Sequence, residues 1–416
     1  MALYFGRQAL SLCPRCAHCY DPTVSSPAVA SRTLPLLLGF LIAIGPVSVD
    51  LYLPAFPTIA GQFHNQATPG ITLAAYFAGL AGGQIMQGPL SDRIGRRTPI
   101  LAGLVLYTIA SAGCGVAWSG ESLTLWRLLA GFGASASVVI PRAMVRDIAD
   151  GPAAVTLFSR LTLVMGVAPV IAPMIGSAVI ALVSWRWIFG LAALYGLVAI
   201  ALSVRFLPDT LPPARRSAIG VRSIMVRYVE IGTERSFLTH ALAGSFAMAA
   251  LFAYLSGTPG VFIQGLHWSP FAYAVMFASN AAFYIAMSQG NPLLVRRFGV
   301  RPVLSLAIAA LLLGALCLSI AAWLGAGPIV LLAAIACCQV SHGCSLPDTL
   351  VGALSAHQSH AGSASALMGT MQYVAGAGAG AAVGALSDGT ARPMALVMLS
   401  AAVLAAISLM FRPTGS

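Results

Sequence analysis

The chain has 416 residues, 58% of them hydrophobic and only 8% charged, with a mean hydropathy of +0.88. A soluble domain carries about 25% charged residues, so this balance excludes a soluble enzyme, a disordered chain and an ordinary nucleic-acid binder, and leaves a membrane protein. The formal net charge is +11, and all 22 basic residues are arginine. Without lysine, a phosphate-binding loop of the G-x-x-x-x-G-K-[ST] type cannot form, and neither can a lysine Schiff base. No covalent cofactor or ATP-hydrolysing site of those types is expected. Uphill work would then draw on an ion gradient or a partner chain.

Residues 1–33 read as an N-terminal extension without defined structure. It holds Cys13-Pro-Arg-Cys16-Ala-His-Cys19, a spacing that suits zinc, but no second paired cluster lies nearby and no metal site is assigned. Residues 25–31 resemble a signal-peptidase site, yet the polar stretch before them lacks an apolar core. The first hydrophobic helix therefore reads as an uncleaved insertion signal.

A membrane-spanning helix needs about 20 apolar residues. Twelve runs fit: 34–57, 69–90, 99–118, 122–144, 155–182, 186–207, 237–259, 269–294, 302–323, 326–349, 362–386 and 391–411. The expected fold is an all-α polytopic membrane protein. The long link 208–236, rich in arginine and proline, divides it into bundles at 34–207 and 237–411, with a tail at 412–416. With the N-terminus inside, eighteen arginines fall on the inner side and two, Arg186 and Arg392, on the outer. That asymmetry puts both termini in the cytoplasm.

The bundles also read as pseudo-repeats. Leu90-Ser-Asp-Arg-Ile-Gly95-Arg-Arg97 aligns with Leu294-Val-Arg-Arg-Phe-Gly299-Val-Arg301 at an offset of 204. Met165-Gly166 aligns with Met368-Gly369 at 203, and Gly176 with Gly380 at 204. Such a duplication places a substrate site between the halves near the midplane.

Several residues could carry chemistry. Between helices 2 and 3 lies a loop containing Gly88, Asp92, Arg93, Gly95, Arg96 and Arg97. Positive-inside anchoring explains the arginines but not the embedded aspartate and glycines. The favoured reading is a cytoplasmic latch, made and broken as the halves rock. Asp50 stands in an otherwise uncharged run, where a carboxylate should face the bundle interior. Burial makes its charge costly and a neighbouring cation favours it; that competition suits a proton carrier, although a purely structural role is the alternative. Arg127 in helix 4 lies at nearly the same depth. The two are expected to pair, directly or through water, in one state.

The helix 5 residues Gly166, Pro169, Pro173 and Gly176 remove bulk and backbone donors, which permits bending and close packing. Tyr52, Tyr76, Gln84, Tyr254, Asn280, Tyr284 and Gln372 are polar or aromatic groups in apolar helices and form a candidate pocket set. Asp348 reads either as a second titratable site or as a wet boundary group. His342 reads as a packed polar residue.

These segments resemble a known family. Gly88-Pro-Leu-Ser-Asp92-Arg93-Ile-Gly95-Arg96-Arg97 looks like the signature loop of the major facilitator superfamily. Leu125-Trp-Arg127-Leu-Leu-Ala-Gly131-Phe-Gly133 and Gly166-Val-Ala-Pro169-Val-Ile-Ala-Pro173-Met-Ile-Gly176 are similar to motifs of its drug:proton antiporters. Asp50-Leu-Tyr-Leu-Pro54-Ala-Phe-Pro57, Arg142-Ala-Met-Val-Arg146-Asp147 and Ala361 through Gln372 resemble the bicyclomycin-resistance (Bcr/CflA) subfamily, whose pattern has asparagine where Asp348 stands. The resemblance implies twelve helices in the inner membrane, a role for Arg127 in proton coupling, a hinge or gate in helix 5, and proton-driven export of small amphipathic molecules by one chain without a cofactor. An importer of a small polar metabolite is the nearest alternative. An intramembrane enzyme built on Ser341-His342-Gly343-Cys344-Ser345 is a remote one, because adjacent helical residues point in different directions.

Overall fold

The computed structural model describes residues 33–148, 151–216, 221–355 and 361–413. The cysteine cluster at Cys13, Cys16 and Cys19 lies outside the described residues. What is described is helical throughout. The first rod is broken where its prolines fall: α1 (Thr33–Ile42), α2 (Ile44–Asp50), a 3₁₀ turn (Leu53–Ala55) and α3 (Phe56–Gln62). Pro46, Pro54 and Pro57 each remove a backbone donor. The rod still continues as one apolar span over Leu34–Gln62, five residues past the expected end.

The long helices follow. They are α4 (Thr68–Ile94), α5 (Arg97–Gly115), α6 (Gly120–Ile148), α7 (Gly151–Leu182) and α8 (Arg186–Phe206). After the linker come α9 (Val221–Thr233), α10 (Arg235–Pro259) with a π turn (Gly260–Gly265), α11 (Pro270–Phe298), α12 (Val300–Trp323), α13 (Pro328–Leu354), α14 (Ala361–Leu386) and α15 (Arg392–Met410). Among the described residues, nine helical segments are long and apolar enough to cross a membrane.

Two sequence expectations change here. The segment Gly88–Ile94 is not loop but the last two turns of α4, and the turn itself is confined to Gly95 and Arg96. Pro89 does not stop the helix. The link 208–236 is not all loop either, since α9 occupies thirteen of its residues. Ile231 of α9 packs with Phe237, Ala353, Ala364 and Met368 at the base of α10, α13 and α14.

The rods up to α8 pack among themselves, and α10 to α15 do the same. Small residues set the closest seams. A Cβ on Gly131 of α6 would strike the Tyr76 carbonyl of α4, so these backbones lie in direct contact. The two groups meet where α4 runs along α14 and where α7 leans on α11. At one end the meeting is tight: a Cβ on Gly70 would sit 2.7 Å from the Gly384 Cα, and Ser177 Oγ donates to the Pro270 carbonyl at 2.8 Å. Phe77 stacks on Phe252 across the same seam, with centroids 3.8 Å apart.

Candidate functional site: a central cavity and two charged sites

Between the two groups of helices lies a cavity of about 280 Å³. Faces of regular helical period build it. α11 supplies Phe277, Ala281, Tyr284, Ile285 and Ser288, spaced as one helix face. α10 supplies Met248, Leu251, Phe252, Tyr254 and Leu255. Gly45, Pro46, Val49 and Asp50 come from α2, Phe77 and Leu80 from α4, Pro169 from α7, Gln339 and Leu346 from α13, and Tyr373 from α14. Among the described residues, Asp50 is the only charged side chain on this lining. It is 4% exposed, and no hydrogen bond or ion pair is formed by its side chain among the described residues.

Of the seven expected pocket residues, Tyr254 and Tyr284 line the cavity. Tyr52 and Tyr76 do not; they enclose Arg127. Asn280 turns back to its own helix, donating to the Met276 carbonyl at 3.1 Å. Gln84 packs at Gly369, on the seam between α4 and α14. Gln372 is half-buried beside the lining rather than on it. Residue type chose these seven, and helix azimuth sorts them. Among the lining residues that were missed, Phe77 and Tyr373 are one position away from residues that were named.

Arg127 is 2% exposed and lies off this cavity, in a small pocket behind α2 with Ser48, Leu51, Tyr107 and Phe189. Its guanidinium sits 4.3 Å from the Tyr76 ring centre and 4.7 Å from that of Tyr52. Its Nη1 donates to the Ser48 carbonyl at 3.3 Å, while Nε and Nη2 have no partner among the described residues. The aromatic faces supply the negative potential that a carboxylate was expected to give. The expected pairing of Asp50 and Arg127, direct or through water in one state, is not present as an ion pair in this structure. Ser48 and Asp50 are two residues apart on a helix, about 200° around its axis, so the two charges face opposite sides of α2.

The expected latch residues assemble into a network, but within one group of helices. Arg96 Nε donates to Asp147 Oδ2 at 2.8 Å, and its Nη1 pairs with Asp92 at 2.5 Å and with Ser91 Oγ at 2.9 Å. Its backbone N–H donates to Asp209 Oδ1 at 2.9 Å, and Thr210 Oγ1 donates to Asp147. Burial works against the Arg96 charge; the bonds to Asp147 and Asp92 outweigh it and hold the guanidinium above its ordinary value. Arg97 Nη2 caps the Val204 carbonyl at 2.6 Å, and Arg93 is exposed. Gly95 has φ +95°, and a Cβ there would strike Asp209. Gly88, by contrast, has nothing within 4 Å of a Cβ.

This network ties α4, α5, α6 and the segment after α8 into one body. A rocking latch would need a partner beyond this group, and α9, which packs on α10 and α14, brings Tyr228 within the field of Asp92. Tyr228 of α9 is raised above its ordinary pKa, first by burial and then by the Asp92 charge.

The α7 residues grip the first rod. A Cβ on Gly176 would strike the Leu51 carbonyl, one residue from Asp50, and Pro169 lines the cavity. Ser177 Oγ uses the Pro173 carbonyl, which accepts at 2.8 Å. Both prolines lie inside an unbroken helix. The surroundings of Gly166 fall outside the described residues.

Two groups of membrane-length helices around a shared apolar cavity, with one carboxylate in it, define a polytopic small-molecule transporter. The Major Facilitator Superfamily model matches residues 36–381. The chain belongs to the major facilitator superfamily, and it is a transporter rather than an enzyme. It is 32% identical to an uncharacterized MFS-type transporter, YdgK, of Bacillus subtilis (strain 168), over 90% of this chain and 94% of that one. It is 28% identical to a bicyclomycin resistance protein homolog of Haemophilus influenzae, over 90% and 95%. In fold it resembles an inward-facing, unoccupied bacterial homologue of the lysosomal transporter Spinster, with a TM-score of 0.71 at 16% identity, covering 93% of this chain and 97% of that one.

Proposed function

We propose that the protein is a proton-coupled antiporter that exports small amphipathic drugs or metabolites by alternating access. The observation that carries this reading is the lining of the cavity: apolar and aromatic nearly throughout, with Asp50 its only charge among the described residues. An apolar, aromatic cavity holds amphipathic solutes by area, and its few polar groups set orientation. It offers too few fixed partners for a polar metabolite, which argues against the importer alternative. A proton on Asp50 neutralises the carboxylate, and a substrate that displaces the proton supplies a positive or hydrogen-bond-donating group in its place, so the two exchange there without leaving a bare carboxylate in an apolar site. The similarity to a bicyclomycin resistance protein homolog agrees with drug export.

The nine apolar spans together with α4, α7 and α14, each 26 residues or longer, make twelve crossings. These form bundles at 34–207 and 237–411 joined by a cytoplasmic link. Both termini lie in the cytoplasm and the chain works as a monomer in the bacterial inner membrane. The Gly70 end is then periplasmic and closed, and the Gly95 end cytoplasmic.

The test is substrate-evoked proton movement in proteoliposomes, wild type against Asp50→Asn, across a panel of amphipathic antibiotics and metabolites. Proton efflux evoked by substrate uptake, and abolished by Asp50→Asn, is expected. Substrate movement without proton movement, equal in both proteins, would replace the antiporter with a facilitator.

A further inference from the structure

α13 carries polar side chains that the antiport cavity does not account for. Gln339, His342, Ser345 and Asp348 recur every third residue, so each lies beside the next on the helix surface. All four are buried. Each leaves polar atoms without a hydrogen-bond partner among the described residues: Gln339 Oε1, both ring nitrogens of His342, Ser345 Oγ and Asp348 Oδ2. The neighbouring hydroxyls behave differently. Ser341 and Thr349 donate back to the carbonyls of Cys337 and Ser345, each at 2.8 Å, the usual way a helical hydroxyl is satisfied in an apolar setting. Buried polar groups are almost always partnered. Four exceptions at one fixed spacing trace a path that winds along α13, each step about 60° round the helix axis.

The path has two defined ends. Gln339 lines the central cavity beside Tyr254. Asp348 lies nine residues further along, about 13 Å toward the Gly95 end of the molecule. There it is 2% exposed and accepts from Asn291 Nδ2 at 2.7 Å, while Asn291 Oδ1 stays unpartnered. No cation pairs with it among the described residues. α11 presents Asn291, with Arg296 and Arg297 beyond on its exposed end. α12 presents Val303 and Ala307 against Cys344 of α13. α10 presents His240, packed on Gly352 a turn further on, and α14 presents Met368 near Thr349. A carboxylate so placed either keeps an uncompensated charge inside the bundle or sheds it by taking a proton.

We propose that Asp348 is a second proton-binding group, in the half of the protein opposite Asp50, loaded from the central cavity through Gln339, His342 and Ser345. The proton adds to Asp348 Oδ2, turning carboxylate to carboxylic acid, while Oδ1 keeps the Asn291 bond; it leaves as the carboxylate re-forms. Each half then contributes one titrating carboxyl group to the transport cycle. This deepens the antiport reading and rests on it, and the two can fail separately.

The experiment needs no substrate. Infrared pH-difference spectra of the full chain reconstituted in lipid report each carboxylic acid by its carbonyl stretch. Beside the bands of the carboxyls outside the bundle interior, two titrating bands are expected in wild type that single substitutions remove, one lost in Asp50→Asn and the other in Asp348→Asn. Asparagine at 348 can still accept from Asn291, so the fold is kept; Asp348→Glu restores a shifted band and controls for folding. His342→Phe leaves both bands but slows deuterium exchange at Asp348 by about a hundredfold, the scale of assistance a positioned proton-transfer group gives. A spectrum unchanged by Asp348→Asn overturns the second site while leaving Asp50 and the antiport reading intact. Loss of only the Asp348 band, with Asp50→Asn silent, sinks the Asp50 carrier instead. Unaltered exchange in His342→Phe removes the path.

Discussion

The closed end of the seam between α4 and α14 makes a quantitative prediction. Gly70 and Gly384 face each other so closely that a Cβ on Gly70 would lie 2.7 Å from the Gly384 Cα and 3.1 Å from Ser256 Oγ. Comfortable carbon–carbon contact is about 3.5–4.0 Å. Gly70→Ala therefore forces the helices apart by about 1 Å at this point, or costs the strain of staying. Overpacking of this kind costs about 1–3 kcal/mol. The penalty falls on the state in which this end is closed and is relieved when the end opens. A differential of that size shifts a two-state equilibrium by roughly 5- to 150-fold. The assay is a pulsed electron-spin distance measurement between nitroxides at Gln66 and Thr390, both exposed at this end, in a cysteine-depleted chain. A longer-distance population should grow in Gly70→Ala. Gly82→Ala in the same helix, with nothing within 4 Å of its Cβ, should leave the distribution unchanged. Identical distributions for Gly70→Ala and the parent, in folded protein, would refute the idea that this seam sets the conformational balance.

Two further outcomes follow from the charged sites. Gly95→Ala places a Cβ against Asp209 at a backbone φ of +95° and ψ of 169°; strain of about 1–3 kcal/mol from the backbone alone, plus loss of the Asp209 bond to the Arg96 N–H, should lower the melting temperature in detergent, whereas Gly88→Ala should not. Arg127→Lys keeps the charge but loses the planar contact with Tyr52 and Tyr76, so a stability loss of about 2 kcal/mol is expected; a melting temperature equal to wild type would show that the aromatic cage does not hold the charge.

Most of the architecture was legible because hydrocarbon imposes a length on every helix. The runs read from the sequence fall on the observed rods, and the departures are local. α9 escaped notice because arginine and proline around it made residues 208–236 look like plain linker, although Ile231 and Tyr228 recur on one helical face. The site was legible by depth but not by azimuth. Counting residues from the helix ends placed Asp50 and Arg127 at one level, and Arg127 does bond to the turn of the first rod that carries Asp50. It could not show that Ser48, and not Asp50, faces the arginine. Tyr76 was chosen for its hydroxyl, while Phe77, its neighbour, carries the seam and the cavity wall. Near the midplane both faces of such a helix are buried, so hydrophobicity does not mark which one looks inward.

In the proposed antiport, the separation of Asp50 from Arg127 changes how coupling would work. A direct pair would let a proton on Asp50 release Arg127 in one step. With α2 between them, the message has to pass through the rod itself. The parts for this are present. Arg127 holds the Ser48 carbonyl, Ser48 Oγ meets the Tyr107 hydroxyl at 2.6 Å, and Gly176 of α7 lies against the Leu51 carbonyl. The short helix bearing Asp50 is thus held on its far side by α6 and α5 and near its end by α7, in a rod already broken by prolines. A change of charge at Asp50 alters how strongly that face is drawn from the apolar cavity, and in a rod broken by prolines α2 can turn without turning α1 and α3. Coupling through rotation of α2 requires no contact between the two charges, only that Ser48 and Asp50 belong to one rigid turn.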